Sequence, residues 1–421
     1  MLRRIQTDSK ITQLDVAMNG AGHRKVDSWI DRFIAVTANL DSPVAFRKWS
    51  AIATIASTLE QKVWLKTSTV LFPNLYVTIV GHPGVGKTRS VRAAKKYFLE
   101  LPEYHLAPTS MTASSLIDAL VRAKRSYIDR ATGPVEYNSM AIMADEFGAF
   151  MHEYVNEMIA VLSAFYDQDV YGQERRGAEI RIKIKSPQIN LLAGSTPSNL
   201  LKFMPDFAWE QGFTSRVIFV FSDERFIGDD FASEDPGLDP DLIHDLKVIN
   251  GLHGQFQVTQ DYRFAVNNWR AAGEPVVPNH PKLIHYATRR RVHLYKLSMV
   301  SAVDRSNSLY LTKDDFNRAL GWLLETEHHM PDIFKAGAAG GDSKAMDEIY
   351  HFVLMNGKGG RSVPEHKITR FAAEHIPAHS VMRVLEIMER SGMIKSLGTN
   401  SRTGYREFVA EVPEITDIDP I

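Results

Sequence analysis

Apolar residues recur at helical spacing from Val26 to about Lys66, where Trp29, Ile30, Phe33 and Ile34 are followed by Phe46, Trp49, Ile52, Ile55 and Leu59. This rhythm predicts two or three helices and a helical N-terminal region over 26–70. From Pro73 it gives way to short apolar runs separated by longer amphipathic stretches: LYVTIV (75–80), YHLA (104–107), MAIMA (140–144), INLLA (189–193) and VIFVF (217–221). Strands covered on both faces read this way, so 71–227 is expected to be an α/β unit with a parallel sheet flanked by helices. A Gly/Asp/Pro-rich stretch over 228–240 ends that region. Helical patterns then run to Phe334, the most regular over 286–303, and predict a helical lid over 228–335.

A second break, AGAAGGDSK at 336–344, reads as a flexible linker. Beyond it the pattern predicts a helix at 345–355, one after Pro364, and one after Pro377 with Val381, Leu385 and Met388 on one face. Two short strands, MIKSL and YREFVA, flank the turn GTNSRTG. Three small helices and a hairpin describe a winged helix over 343–410. The first 25 residues are polar, show little periodicity and read as a mobile tail.

A length of 421 residues exceeds one ordinary core and fits this division. The absence of cysteine excludes disulfides and thiolate zinc sites, and suits a cytoplasmic protein. No apolar stretch is long enough for a signal peptide or a membrane span, so no membrane partner is expected. Lys plus Arg number 49 against 50 Asp plus Glu, so any nucleic-acid contact must come from a local basic patch.

Such chemistry is concentrated in GHPGVGKT, residues 81–88, which satisfies GxxxxGK[ST] between an apolar run and the helical stretch RSVRAAKKYF. Gly81, Gly84 and Gly86 let backbone N–H groups curl around a phosphate, and the helix N-terminus adds its positive end. Lys87 reaches the β- and γ-phosphates of ATP, and Thr88 supplies a hydroxyl to magnesium. Asp145 and Glu146 follow MAIMA, at the strand end where open α/β sheets bind ligands. Asp145 is the candidate for the magnesium shell and Glu146 for polarising the attacking water. Ser195 and Thr196 end the next strand, either to orient that water, for which Thr196 is the choice, or to cap the helix beginning at Pro197.

Between Tyr166 and Gln188, Arg181, Lys183 and Lys185 alternate with Ile180, Ile182 and Ile184, placing cations on one strand face. With Arg175 and Arg176 at the preceding turn, the segment predicts a basic hairpin able to contact DNA. Arg216 precedes the fifth apolar run, and Arg289, Arg290 and Arg291 fall early in the lid's regular helix. In the C-terminal module His379, Arg383 and Arg390 are placed on the third helix, with Arg402 and Arg406 near the wing.

The order of these features resembles AAA+ replicative DNA helicases of phage and plasmid type, with similarity to minichromosome maintenance and superfamily 3 helicases. The loop, Asp145 and Glu146 carry the specific part of that resemblance, and Asp145, Glu146 and Phe147 also resemble the DEF of the minichromosome maintenance group. The segment GFTSRVIFVF is similar to the SRFD segment of the former group, although Val217 stands where those proteins have Phe and no Asp follows it. The resemblance implies that Arg216 reaches a neighbouring subunit's nucleotide. It also implies that Thr196 acts as a sensor, that Arg289 or Arg290 contacts nucleotide, and that the basic hairpin projects into the pore of a ring. A homo-oligomer, a hexamer, that hydrolyses ATP while translocating on single-stranded or forked DNA follows from it, in a bacterial cytoplasm if phage-encoded. An origin-binding initiator or helicase loader of the same class shares the core and winged helix, and a P-loop signalling ATPase shares the core alone.

Overall fold

A computed structural model describes residues 22–101, 103–129, 133–151, 155–167, 170–175, 180–210, 212–225, 237–357, 361–373, 376 and 378–411. At 174–175, 180–181, 206, 338–344 and 378–379 the description is of the backbone alone. The chain divides into two compact units, residues 1–333 and 334–421.

The first unit is α/β, built on a five-stranded sheet of order β4-β5-β8-β3-β9. At its centre β3 (Tyr76–Val80) runs parallel to β8 (Pro187–Ser195) and β9 (Val217–Phe221), in a register that sets Val80 beside both Ser195 and Phe221. Every residue of these three strands is buried, which is why their sequences show no alternation. β5 (Gly133–Ala144) is longer than the MAIMA run. Its second half lies parallel to β8, while its first half pairs antiparallel with β4 (Lys124–Asp129). The polar alternation of KRSYID gave no apolar run to read. YHLA forms no strand: it contributes a single parallel bridge, Leu106 to Ala141, before Pro108 removes the next backbone donor.

A second sheet corrects the all-helical reading of both flanking regions. Helices α1 (Trp29–Val36) and α2 (Val44–Leu59) form as expected, but β1 (Val63–Lys66) and β2 (Val70–Leu71) follow them. β1 pairs parallel with β10 (Gly254–Val258), which pairs parallel with β11 (Tyr310–Leu311). The N-terminal region and the expected lid therefore share one sheet, whose strands are too short and too polar to stand out in a window of helical length. Most of the other described residues of the lid region are helical, including α9 (Pro240–Asn250) and the 22-residue α11 (Ile284–Arg305).

Two buried carboxylates reinforce this closure. Asp304 accepts from the Ser28 hydroxyl (2.8 Å), the Ile30 N–H (2.7 Å) and Arg318 (2.5 Å). Asp245 accepts from the Arg24 guanidinium (2.8 Å) and the backbone N–H groups of Lys25 and Val26 (2.8 and 3.0 Å). Carboxylates removed from water require such partners. Residues 22–25, assigned to a mobile tail, are thus anchored at Arg24 and Lys25. Residues 1–21 lie outside the described residues.

In the second unit, the expected linker at 336–344 lies inside a helix, Asp332–Asn356. The stretch contains no proline, and each interior glycine costs only about 1 kcal/mol relative to alanine, which flanking alanines allow the helix to absorb. Helices Glu365–Ala372 and Ala378–Arg390 follow, and the expected hairpin forms as β13 (Ile394–Thr399) antiparallel to β14 (Arg406–Ala410), extended to a three-stranded sheet by β12 (Val363–Pro364), which pairs antiparallel with β14. Ile349, Val353, Ile368, Val384, Leu385 and Phe408 form its core.

Candidate functional site

The glycine-rich loop leaves the carboxyl end of β3 and enters α3 (Lys87–Leu99). Gly81 donates its N–H to the Ser195 carbonyl (3.2 Å), so the loop is sewn to the end of β8. Gly84 and Gly86 adopt φ of 83° and 76°, a left-handed conformation that β-carbons oppose. At Gly86 a side chain is excluded twice over, because a Cβ there would lie 1.7 Å from the Asp41 carbonyl oxygen. The N-terminal region thus backs the loop. Its Ser42 hydroxyl also meets that of Ser90 at 2.6 Å, and Asp41 pairs with Arg89. Lys87 is buried, its Nζ donating 2.8 Å bonds to the carbonyls of Gly81 and His82. Burial lowers the Lys87 pKa, opposed by the charge of Glu146. Thr88 is half-buried in the first turn of α3.

Asp145 and Glu146 emerge from β5 one strand away, since Ala144 pairs with Ala193 on β8. The approach is close: a Cβ on Gly194 would sit 2.5 Å from the Asp145 carbonyl oxygen and 3.6 Å from the Lys87 Cβ. Burial raises the Glu146 pKa, while Lys87, Asn199 and Ser195 favour its charged form. Ser195 donates to Glu146 at 3.4 Å. Asp145 is paired with exposed Arg92 through bonds of 2.8 and 2.6 Å. Of the alternatives at 195–196, Thr196 is the cap of α7 (Pro197–Phe203), its hydroxyl accepting from the Asn199 N–H at 3.3 Å. Ser195 is the hydroxyl that meets the candidate base. Asn199, Arg92, Asp41 and Ser42 escaped sequence reading because no motif includes them.

The arginines divide sharply. Arg216 ends a 3₁₀ turn, Thr214–Arg216, and donates to the Gly212 carbonyl (2.6 Å) and to Asp167 (2.5 Å). Asp167 closes α6 (Val155–Asp167) and also accepts from Arg289 at 2.7 and 3.3 Å. Desolvation raises the Asp167 pKa, but the two guanidiniums outweigh it and hold the carboxyl below its usual range. Val217 pairs with Tyr76 at the start of β3, so this cluster lies at the opposite end of the strands from Gly81. Arg289 therefore does not serve the loop of its own chain. Arg290, the other candidate for nucleotide contact, is fully buried and forms a double bond pattern with Glu327, 2.7 Å to each oxygen. Its remaining donors hold the Glu274 and Val276 carbonyls (2.5 and 2.8 Å), two residues with left-handed φ of 53° and 56°. Arg290 is structural. Arg291 pairs with the Glu274 carboxylate at 2.7 Å.

The basic hairpin forms from β6 (Tyr171–Arg175) and β7 (Ile180–Ile184), antiparallel and apart from the main sheet. Ile182 and Ile184 are buried while Lys183 and Lys185 are exposed, as the alternation required. Arg175 and Arg181 occupy strand positions, and Arg176 lies outside the described residues. In the second unit Arg390 pairs with Glu386 (2.6 Å), and Arg406 with Glu365 (3.0 Å) and Glu389 (3.4 Å). Arg383 and Arg402 are exposed.

Set against models of known protein families and against curated protein sequences, the chain matches none. None of the described helices is long and apolar enough to cross a membrane.

Proposed function

We propose that the chain is a P-loop ATPase of AAA+ type that works as a ring-forming DNA helicase or translocase in phage- or plasmid-type replication in the cytoplasm, with a C-terminal winged helix. The observation that carries this reading is the loop itself. Left-handed Gly84 and Gly86, backed by Asp41, deliver Lys87 to the base of a helix while Glu146 follows the end of β5, the next strand but one from β3. Backbone N–H groups of 84–88 and the Lys87 ammonium suit the β- and γ-phosphates of ATP. Thr88 and Asp145 are oxygen donors suited to magnesium, with Asp145 exchanging its Arg92 partner for the ion. When bound, magnesium neutralises charge on the transferring phosphoryl group. Glu146 supplies the base. Its burial favours holding a proton, and Ser195 and Asn199 keep it oriented and charged. Lys183 and Lys185 present phosphate-binding charge from the hairpin.

ATP-dependent strand separation on forked DNA by the purified protein tests the reading, with Lys87→Ala as the inactive control. Turnover that neither single-stranded nor forked DNA stimulates contradicts a DNA motor, and equal turnover in the Lys87→Ala protein contradicts the loop assignment.

A further inference from the structure

Where β1 and β10 end, the second sheet leaves a cavity of about 240 Å³ against α10 (Gln260–Ala271) and α11. That is the volume of roughly eight waters at ~30 Å³ each. Leu65, Val258 and Val266 line it with apolar surface, and Tyr262 and Tyr295 add two aromatic rings. Tyr262 is buried and its ring stands edge-on against Phe316, centroids 6.2 Å apart, so that wall is fixed in place. Tyr295 is half-buried. Lys66 and Arg263 also line the cavity; both are exposed, and neither forms an ion pair with a described residue. Arg270 lies on the same face of α10 as Arg263, is likewise unpaired among the described residues, and its charge acts on the Tyr295 phenol. The nearby acids are already engaged. Asp261 accepts from the Thr259 hydroxyl and from the Lys313 N–H (3.1 Å), and Glu274 is paired with Arg291 at 2.7 Å. The result is a local positive patch on a chain whose formal net charge is −1.

An inorganic anion gains nothing from the two rings, and a purely apolar molecule gains nothing from the cations. A nucleotide has both parts, a flat base that stacks on a phenol ring and a phosphate that pairs with ammonium and guanidinium groups. Asn267, exposed at the same cavity, carries an amide suited to the polar edge of a base. We propose that this cavity binds one nucleotide unit, free or within a single strand, with its base against Tyr295 and its phosphate between Lys66 and Arg263. Stacking and phosphate pairing select no particular base, so binding here tolerates sequence. None of these residues belongs to the glycine-rich loop, the acid pair or the basic hairpin. The inference therefore stands or falls separately from the reading of 81–88 as an ATP site.

The test is photocrosslinking of the purified full chain, without ATP or magnesium, with adducts mapped by peptide mass spectrometry. One probe is a thymidine oligonucleotide carrying a single 4-thiothymidine, and the other is 4-thiothymidine 5′-monophosphate. Adducts within 258–267 are expected. Their formation with the oligonucleotide supports a nucleotide held within a strand, and their formation with the monophosphate alone supports a free nucleotide. At subsaturating probe, Tyr295→Leu, which keeps an apolar side chain, and the double variant Lys66→Ala with Arg263→Ala are each expected to lower the yield within 258–267 at least about fivefold, the least that one stacked base contributes. Lys66 and Arg263 are exposed and unpaired, so the double variant keeps the fold, and adducts elsewhere on the chain persist. No adduct within 258–267 from either probe, or a yield there that the double variant leaves unchanged, overturns the proposal.

Discussion

At the carboxyl end of the central strands, the chemical groups arrive from neighbouring positions: eight consecutive residues turn from β3 into α3, and Asp145 and Glu146 follow the next strand but one. At the other end, Asp167, Arg216, Asn74 and the α11 residues Arg289 and Lys296 converge from four separate places in the chain. The first end is shaped by backbone, through left-handed glycines and a helix terminus. The second is shaped by charge, through a carboxylate shared between guanidiniums. Backbone-shaped sites tolerate change least at their glycines, whereas charge-shaped sites fail when one partner is lost and the rest repel.

The largest effect that separates the two ends is expected at Arg216. Arg216→Ala should lower ATP turnover by roughly 10³–10⁵-fold, as arginine fingers do elsewhere, with the subunit's own nucleotide affinity nearly unchanged. Single-turnover hydrolysis and equilibrium nucleotide binding check the two halves, and normal turnover breaks the comparison. Next comes Glu146→Gln, which should bind ATP as wild type does and hydrolyse it about 10²–10⁴-fold more slowly, the usual contribution of a positioned base. Rapid hydrolysis by this variant would remove the base assignment.

Arg290 sharpens the contrast by sitting beside Arg289 without belonging to either end. Arg290→Met leaves Glu327 buried and unpaired and is expected to destabilise the fold by about 3–5 kcal/mol, read as a shift in the urea unfolding midpoint. Adding Glu327→Leu should recover most of that loss. A variant of full stability with impaired nucleotide binding would return Arg290 to the site. The smallest effect belongs to the hairpin. Lys183→Ala with Lys185→Ala should flatten the slope of log affinity for single-stranded DNA against log salt by up to about 1.4, at ~0.7 per phosphate contact, while basal ATP hydrolysis persists. An unchanged slope makes β6–β7 a plain solvent edge.

What could be read in advance follows the same division. The loop, the acid pair and the buried strands were legible because their signals are contiguous: a fixed glycine spacing, or a run of apolar residues without alternation. The isoleucine and lysine alternation of β7 was legible for the same reason. The second sheet was not, because VWLK, GQFQV and YL acquire meaning only when paired with one another across most of the unit. Nor could the roles of three successive arginines be separated. Arg289, Arg290 and Arg291 point in different directions around α11, and only their partners Asp167, Glu327 and Glu274 tell a half-buried ion pair from a buried brace. Thr196 and Ser195 were adjacent for similar reasons, and the cap claimed the former.

The two buried aspartates carry a consequence for how the protein is made. Ile30 closes on Asp304, 274 residues further along the chain, and Arg24 reaches the Val303 carbonyl. At ~5–20 residues per second, a ribosome needs roughly 15–55 s to supply those partners. During that interval Trp29 and Phe33, which end fully buried, have no finished surface to cover them. The first of the described helices is thus among the last to be locked, and chain elongation sets when Trp29 and Phe33 are covered.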